Sequence, residues 1–112
     1  MNQYERAAQI WSVLALAARN QKILSYGTIE KLTGLHRQQV GKNLDPIAAY
    51  CGKKKLPKMH MLVVNETKGL PGEKLGSVQA ILSAQNQAFV FDWLSHGCPT
   101  PEEFEKAHKS GA

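Results

Sequence analysis

The densest run of side chains able to read another molecule is His36-Arg37-Gln38-Gln39, followed closely by Lys42 and Asn43. An arginine fork matches the two acceptors on a guanine edge, and Gln38, Gln39 or Asn43 pairs with adenine, because each carries a donor beside an acceptor. Lys42 suits a phosphate instead, as a single point charge on a flexible stem. A second group, Lys53, Lys54, Lys55 and Lys58, with Lys68 and Lys74 beyond, offers charge alone. Charge of that kind neutralises backbone phosphates whatever the base sequence. Both groups also have a plainer reading, as a solvated basic face and a lysine loop that keeps the chain in solution.

Catalytic patterns are thin. His36, His60, His96 and His108 show no H-x-x-x-H spacing and no accompanying carboxylate motif, so neither a metal nor any other cofactor is expected. His60 reads as a side chain at a sheet surface rather than a ligand. Cys51 precedes Gly52 and three lysines, whose charge can depress a thiol pKa, yet no base adjoins it and a helix-packing cysteine is the commoner case. Ser25, Ser77, Ser83 and Ser95 sit in no nucleophile elbow. Cys51 and Cys98 form no C-x-x-C pair and are too few for a disulfide framework, so both are expected as free thiols. The expectation is a protein that is not an enzyme.

The charge is unevenly distributed. Between Arg19 and Lys74 eleven Lys and Arg face four acids, a balance of +7 where the whole chain carries +5. A basic middle with an acidic C-terminal segment (Asp92, Glu102, Glu103, Glu105) points to a surface that meets a polyanion, with double-stranded DNA as the expected partner. With 112 residues one domain is expected. The first eleven residues carry Glu5 and Arg6 and no long uncharged stretch, so no leader peptide and no membrane contact are expected, and the cytoplasm is the expected location.

These residues must be positioned by a few elements. Ala7, Ile10, Trp11, Leu14 and Leu16 recur at helical spacing behind Asn2, predicting a first helix over 4–18. A brief strand or extended entry over 23–26 follows, then a helix over 29–33 capped by Thr28 and stopped by Gly34. Residues 35–44 read as a polar helix with Leu35, Val40 and Leu44 as its only anchors, and Asp45-Pro46 as the cap and first position of another helix. The lysines 53–58 read as a loop, and Met59 to Asn65 as a strand leading into a Gly/Pro-rich turn. Residues 88–96 predict one apolar helix that buries Phe89, Phe91 and Trp93, and Thr100-Pro101-Glu102-Glu103 the start of a last one ending near Lys109. Lys74 to Gln87 suits a helical turn or an extended piece equally. The fold class is mainly α with a small β component, a winged helix-turn-helix, with recognition helix about 35–44, wing about 59–74 and C-terminal helices about 88–109.

Ile10-Trp11, then ILSYGTIEKLTG (23–34), QQVGKNL (38–44), LPKMHMLVVN (56–65), a Gly-rich loop and FDWLSHG (91–97) occur in an order that resembles the DNA-binding domain of alkylguanine-DNA alkyltransferases and alkyltransferase-like proteins. The resemblance covers about residues 10–97. It implies a winged helix that works chiefly through the minor groove and flips a damaged guanine, with Tyr26 at the family's rotation-assisting tyrosine. At the intercalating arginine this chain has Gln38, with Arg37 one position away. Where the family reads Pro-Cys-His-Arg ahead of Val-Val, this chain reads Leu-Pro-Lys-Met-His-Met-Leu, so the resemblance implies binding without alkyl transfer. The chain is thus expected to sense damaged or modified bases or to regulate transcription. The alternative is a protein-protein interaction module on the same scaffold, which exposed Trp or Phe on the last helices would favour.

Overall fold

In a computed structural model, residues 2–65 and 77–110 are described. Helix α1 spans Gln3–Arg19 and starts where the sequence marks it: Asn2 Oδ1 accepts from the backbone N–H of Tyr4 and Glu5, and Glu5 Oε1 accepts from Asn2 N at 2.9 Å. Its face of Ala7, Ile10, Trp11, Leu14 and Ala18 is buried, as positions three and four apart on one side of a helix require, whereas Leu16, expected among them, is 57% exposed because it lies two residues from Leu14 and so off that face. Strand β1, Leu24–Ser25, pairs in parallel with β2, Val63–Val64, in the register Leu24 to Val63.

Helix α2 spans Tyr26–Thr33, three residues earlier than its expected start. Ser25, not Thr28, is the cap: Ser25 Oγ accepts from Thr28 N at 3.1 Å, so Tyr26 becomes the first helical residue. Gly34, at φ 76°, ends α2 in the left-handed conformation that favours a residue without Cβ.

Helix α3 is one continuous element, Arg37–Lys54, and not a recognition helix over 35–44 followed by a second segment. Pro46 lies inside it. Proline has no N–H, so the carbonyl four residues back, on Lys42, loses its helical donor; Gln3 Nε2 of α1 supplies the bond at 2.9 Å. Pro46 is itself buried beside Asn43 and Ile47, against the core. The lysine run is correspondingly no simple loop. Lys53 and Lys54 form the last turn of α3, and Lys55 (φ 56°) is its left-handed cap.

The strand expected over 59–65 is mostly a 3₁₀ turn, Met59–Leu62, with only Val63–Val64 extended. Alternate burial is what a half-exposed strand needs, and Met59, Met61, Leu62, Val63 and Val64 are all buried. Gln85 Nε2 ties this turn to α4 through the Met61 carbonyl at 2.9 Å. The remainder of the expected wing, from Glu66 on, lies outside the described residues.

Helix α4 is Val78–Val90, α5 Trp93–His96 and α6 Pro101–Lys109. The single helix expected over 88–96 is broken because Phe91 is extended (ψ 140°) and Asp92 caps α5, its Oδ1 accepting from Ser95 N at 3.2 Å. Helix α6 follows the sequence signal closely, with Thr100 and Glu103 capping each other. One buried cluster joins α1, α2, α3, the 3₁₀ turn, α4, α5 and α6, so the described residues make a mainly helical single domain with a two-strand parallel sheet. Trp11 is its hub, with the rings of Trp93, Tyr50, Phe104 and His96 between 5.2 and 5.9 Å away.

Candidate nucleic-acid interface

The three residues from Gly34 to His36 join α2 to α3 and set the first turn of α3 on the surface. His36, Arg37, Gln38 and Gln39 are all exposed there, as is Lys42 one turn on. Gln39 Oε1 accepts from His36 N at 3.2 Å, which fixes the turn that carries the quartet. Arg37 is the first residue of the helix, and no acidic residue occupies that turn. A cation at a helix start works against the positive end of the dipole, so the sequence here departs from what helix stability alone favours.

Two residues of α2 hold Arg37. Its guanidinium lies over the Tyr26 ring, 5.8 Å from the centroid, and its Nε is 3.6 Å from Glu30 Oε1. Both side chains of the ion pair are open to solvent, Arg37 at 49% and Glu30 at 33%, so the pair stabilises by at most about 1 kcal/mol. That is little to give up for a phosphate or a base edge. Glu30 was not evident from sequence, because a pair across a turn follows no helical spacing.

The other expected site residues divide. Asn43 does not join the quartet: it is 6% exposed, since it shares with Val40, Leu44 and Ile47 the face turned to the core. Lys53, Lys54 and Lys55 are exposed but stand at the far end of α3, roughly 24 Å from Arg37 at 1.5 Å per residue. There Lys53 and Lys54 border a cleft of about 470 Å³ with Tyr50, Glu103 and Lys106 of α6, and the Lys54 ammonium lies 6.0 Å from the Tyr50 ring centroid. Lys58 is exposed just before the 3₁₀ turn. Lys68 lies outside the described residues. The basic middle therefore separates into two clusters along one helix, because α3 runs on through Pro46.

Neither thiol sits in a setting that favours the thiolate. Cys51 is 1% exposed and burial pushes it up to about 11, while burial also raises Cys98. Both are free. His60 is not at a sheet surface: it lies in the 3₁₀ turn with its Nδ1 buried and, among the described residues, without a partner, and burial, reinforced by the Lys58 ammonium, holds its pKa down at about 4. Among the described residues no three His, Cys, Asp or Glu side chains come together as a metal site, and no helix is long and apolar enough to cross a membrane.

No protein family, curated protein or solved structure matches the chain.

Proposed function

We propose that this chain is a non-enzymatic protein that binds double-stranded DNA, with α2, the turn over 34–36 and α3 acting as the helix-turn-helix of a winged-helix scaffold. The observation that carries this reading is the exposed quartet His36-Arg37-Gln38-Gln39 at the start of α3, with Arg37 held over Tyr26. A recognition helix meets base edges with its first residues, and a helix start with no acid of its own suits a phosphate-rich partner. Lys42, exposed one turn further, adds a phosphate contact.

Within this reading a sensor of damaged or modified bases, like the alkyltransferase-like proteins, is favoured over an ordinary transcription regulator. A guanidinium resting on an aromatic ring offers flat surfaces on which an unstacked base can lie. Titration of plain and alkylated duplexes of one sequence tests it, with Arg37→Ala alongside. Binding of neither duplex overturns the DNA reading, and equal binding of both overturns the sensor.

A protein-binding module is the second reading. The aromatic signal for it is weak, since Trp93 and Phe104 are buried. What favours it is aliphatic: Val78, Leu82 and Val90 of α4 are 54%, 50% and 82% exposed. A duplex-silent chain that self-associates or captures a partner through α4 would be the outcome in its favour.

A further inference from the structure

Tyr26 and Glu30 stand four residues apart on α2 and therefore share one side of it, and that side meets the first residue of α3. The Arg37 guanidinium lies 5.8 Å from the centroid of the Tyr26 ring, and its Nε lies 3.6 Å from Glu30 Oε1. Ring and carboxylate thus set the direction of the guanidinium from two sides, while Arg37 and Glu30 both stay open to solvent. What the pair shows a partner is mixed. Arg37 only donates, and the carboxylate beside it only accepts.

That mixture is poorly suited to phosphate. A phosphodiester offers negatively charged acceptors alone, so Glu30 repels the very groups that an isolated arginine would grip. Base edges differ, because some of them set a donor beside an acceptor. In the major groove a G·C pair shows guanine N7 and O6 as acceptors and the cytosine N4 amino group as donor, the partners of arginine and of glutamate respectively. O6 and N4 are hydrogen-bonded to each other in that pair and lie about 3 Å apart, close to the 3.6 Å between Arg37 and Glu30.

An A·T pair fits less well in either groove. Its major-groove edge has a donor in adenine N6 but lacks the adjacent acceptors of guanine that take an arginine fork. Its minor-groove edge carries acceptors only, so the carboxylate finds nothing to accept there, whereas G·C adds the guanine N2 amino group. The preference therefore does not depend on which groove receives the start of α3.

We infer that Glu30 is a specificity-determining residue of the DNA site. With Arg37 it selects a G·C base pair, Arg37 donating to the acceptors of the pair and Glu30 accepting from its exocyclic amino group, and it steers Arg37 away from phosphate. The inference rests on the DNA reading, and it holds whether or not the chain senses modified bases.

The test titrates the full chain with two duplexes of equal length at one salt concentration, one of alternating G and C and one of alternating A and T, reading fluorescence anisotropy. Glu30→Gln, Glu30→Asp and Arg37→Ala are titrated alongside. The natural chain should prefer the G·C duplex by roughly tenfold, the scale of one well-made base contact. Glu30→Gln keeps the length of the side chain and adds a donor that meets A·T acceptors, so it should tighten the A·T duplex and bring the two affinities within about twofold. Glu30→Asp keeps the carboxylate and should retain most of the preference, whereas Arg37→Ala should weaken both duplexes and lose it. A plain surface ion pair would leave the ratio of affinities unmoved in Glu30→Gln. Equal binding of the two duplexes by the natural chain, or a preference unchanged in Glu30→Gln, overturns the role of Glu30 and leaves the DNA reading standing. Binding of neither duplex overturns the DNA reading, and the role of Glu30 with it.

Discussion

Gln3 Nε2 of α1 donates to the Lys42 carbonyl of α3 at 2.9 Å, and that carbonyl is the one Pro46 leaves without a helical donor. The bond lets an 18-residue helix pass through a proline without an unsatisfied backbone group. It also fixes α1 against the segment that carries Lys42.

A double-mutant cycle exposes this arrangement. In the natural chain Gln3→Ala should destabilise by about 1 kcal/mol, the usual net value of one hydrogen bond. In a Pro46→Ala background the new N–H reaches the Lys42 carbonyl itself, so the same change at Gln3 should have almost no effect. Urea midpoints of the four proteins measure it. Equal losses in both backgrounds would show that Gln3 does not compensate for the proline.

The same pair explains where sequence reading stopped. Caps were legible because they are local: Asn2 with Glu5, and Thr100 with Glu103, each lie three residues apart. Asp45-Pro46 gave an equally local signal for a new helix, and the donor that overrides it is Gln3 of α1, 39 residues from the Lys42 carbonyl it serves. Met59 to Val64 looked like a strand because a short apolar run has no period that separates a strand from a buried turn. At the candidate site the exposed quartet was legible from its polarity. Asn43 was not, since its side of the helix is set by Val40 and Ile47, and Lys53 was separated from Arg37 only once α3 proved continuous.

His60 should make the fold sensitive to acid. Its folded pKa of about 4 lies below the ordinary 6.5, first through burial and then through Lys58, so the fold favours the neutral ring. The stabilisation from keeping it neutral is complete above pH 6.5 and is lost as pH falls toward 4, by on the order of 3 kcal/mol. Stability measured between pH 7 and pH 4 should fall more steeply for the natural chain than for His60→Leu. Parallel curves would place the charged imidazole comfortably in the folded state. Asp92 and Glu103, whose carboxyls are held low by hydrogen bonds to Ser95 and Thr100, remain in both proteins and cancel in the comparison.

Thiol titration distinguishes a packing cysteine from a reactive one. Cys51 is 1% exposed and shifted up to about 11, whereas Cys98 is exposed. With a disulfide reagent at neutral pH, one thiol per native chain should react, and both in denaturant. The native reaction should disappear in Cys98→Ser and persist in Cys51→Ala. Rapid native modification of Cys51 would reopen a nucleophilic role for it.

The two basic clusters of α3 should contribute unequally to duplex binding. When the first turn of α3 enters a groove, Arg37 reaches base or phosphate, while Lys53, Lys54 and Lys55 stand roughly 24 Å back along the helix axis. Arg37→Ala should then weaken a duplex by about 1–3 kcal/mol. The triple change of Lys53, Lys54 and Lys55 to Ala should cost less, and it should shift the dependence on salt by less than three phosphate contacts would. Arg37→Lys is informative beside them, because it keeps the charge and loses the fork. Loss comparable to Arg37→Ala indicates a bidentate contact, and full retention a phosphate contact. If the triple variant loses most of its affinity while both Arg37 variants bind normally, the duplex lies against the α3–α6 cleft that Lys53, Lys54 and Lys106 border, and the first turn of α3 is not the reading head.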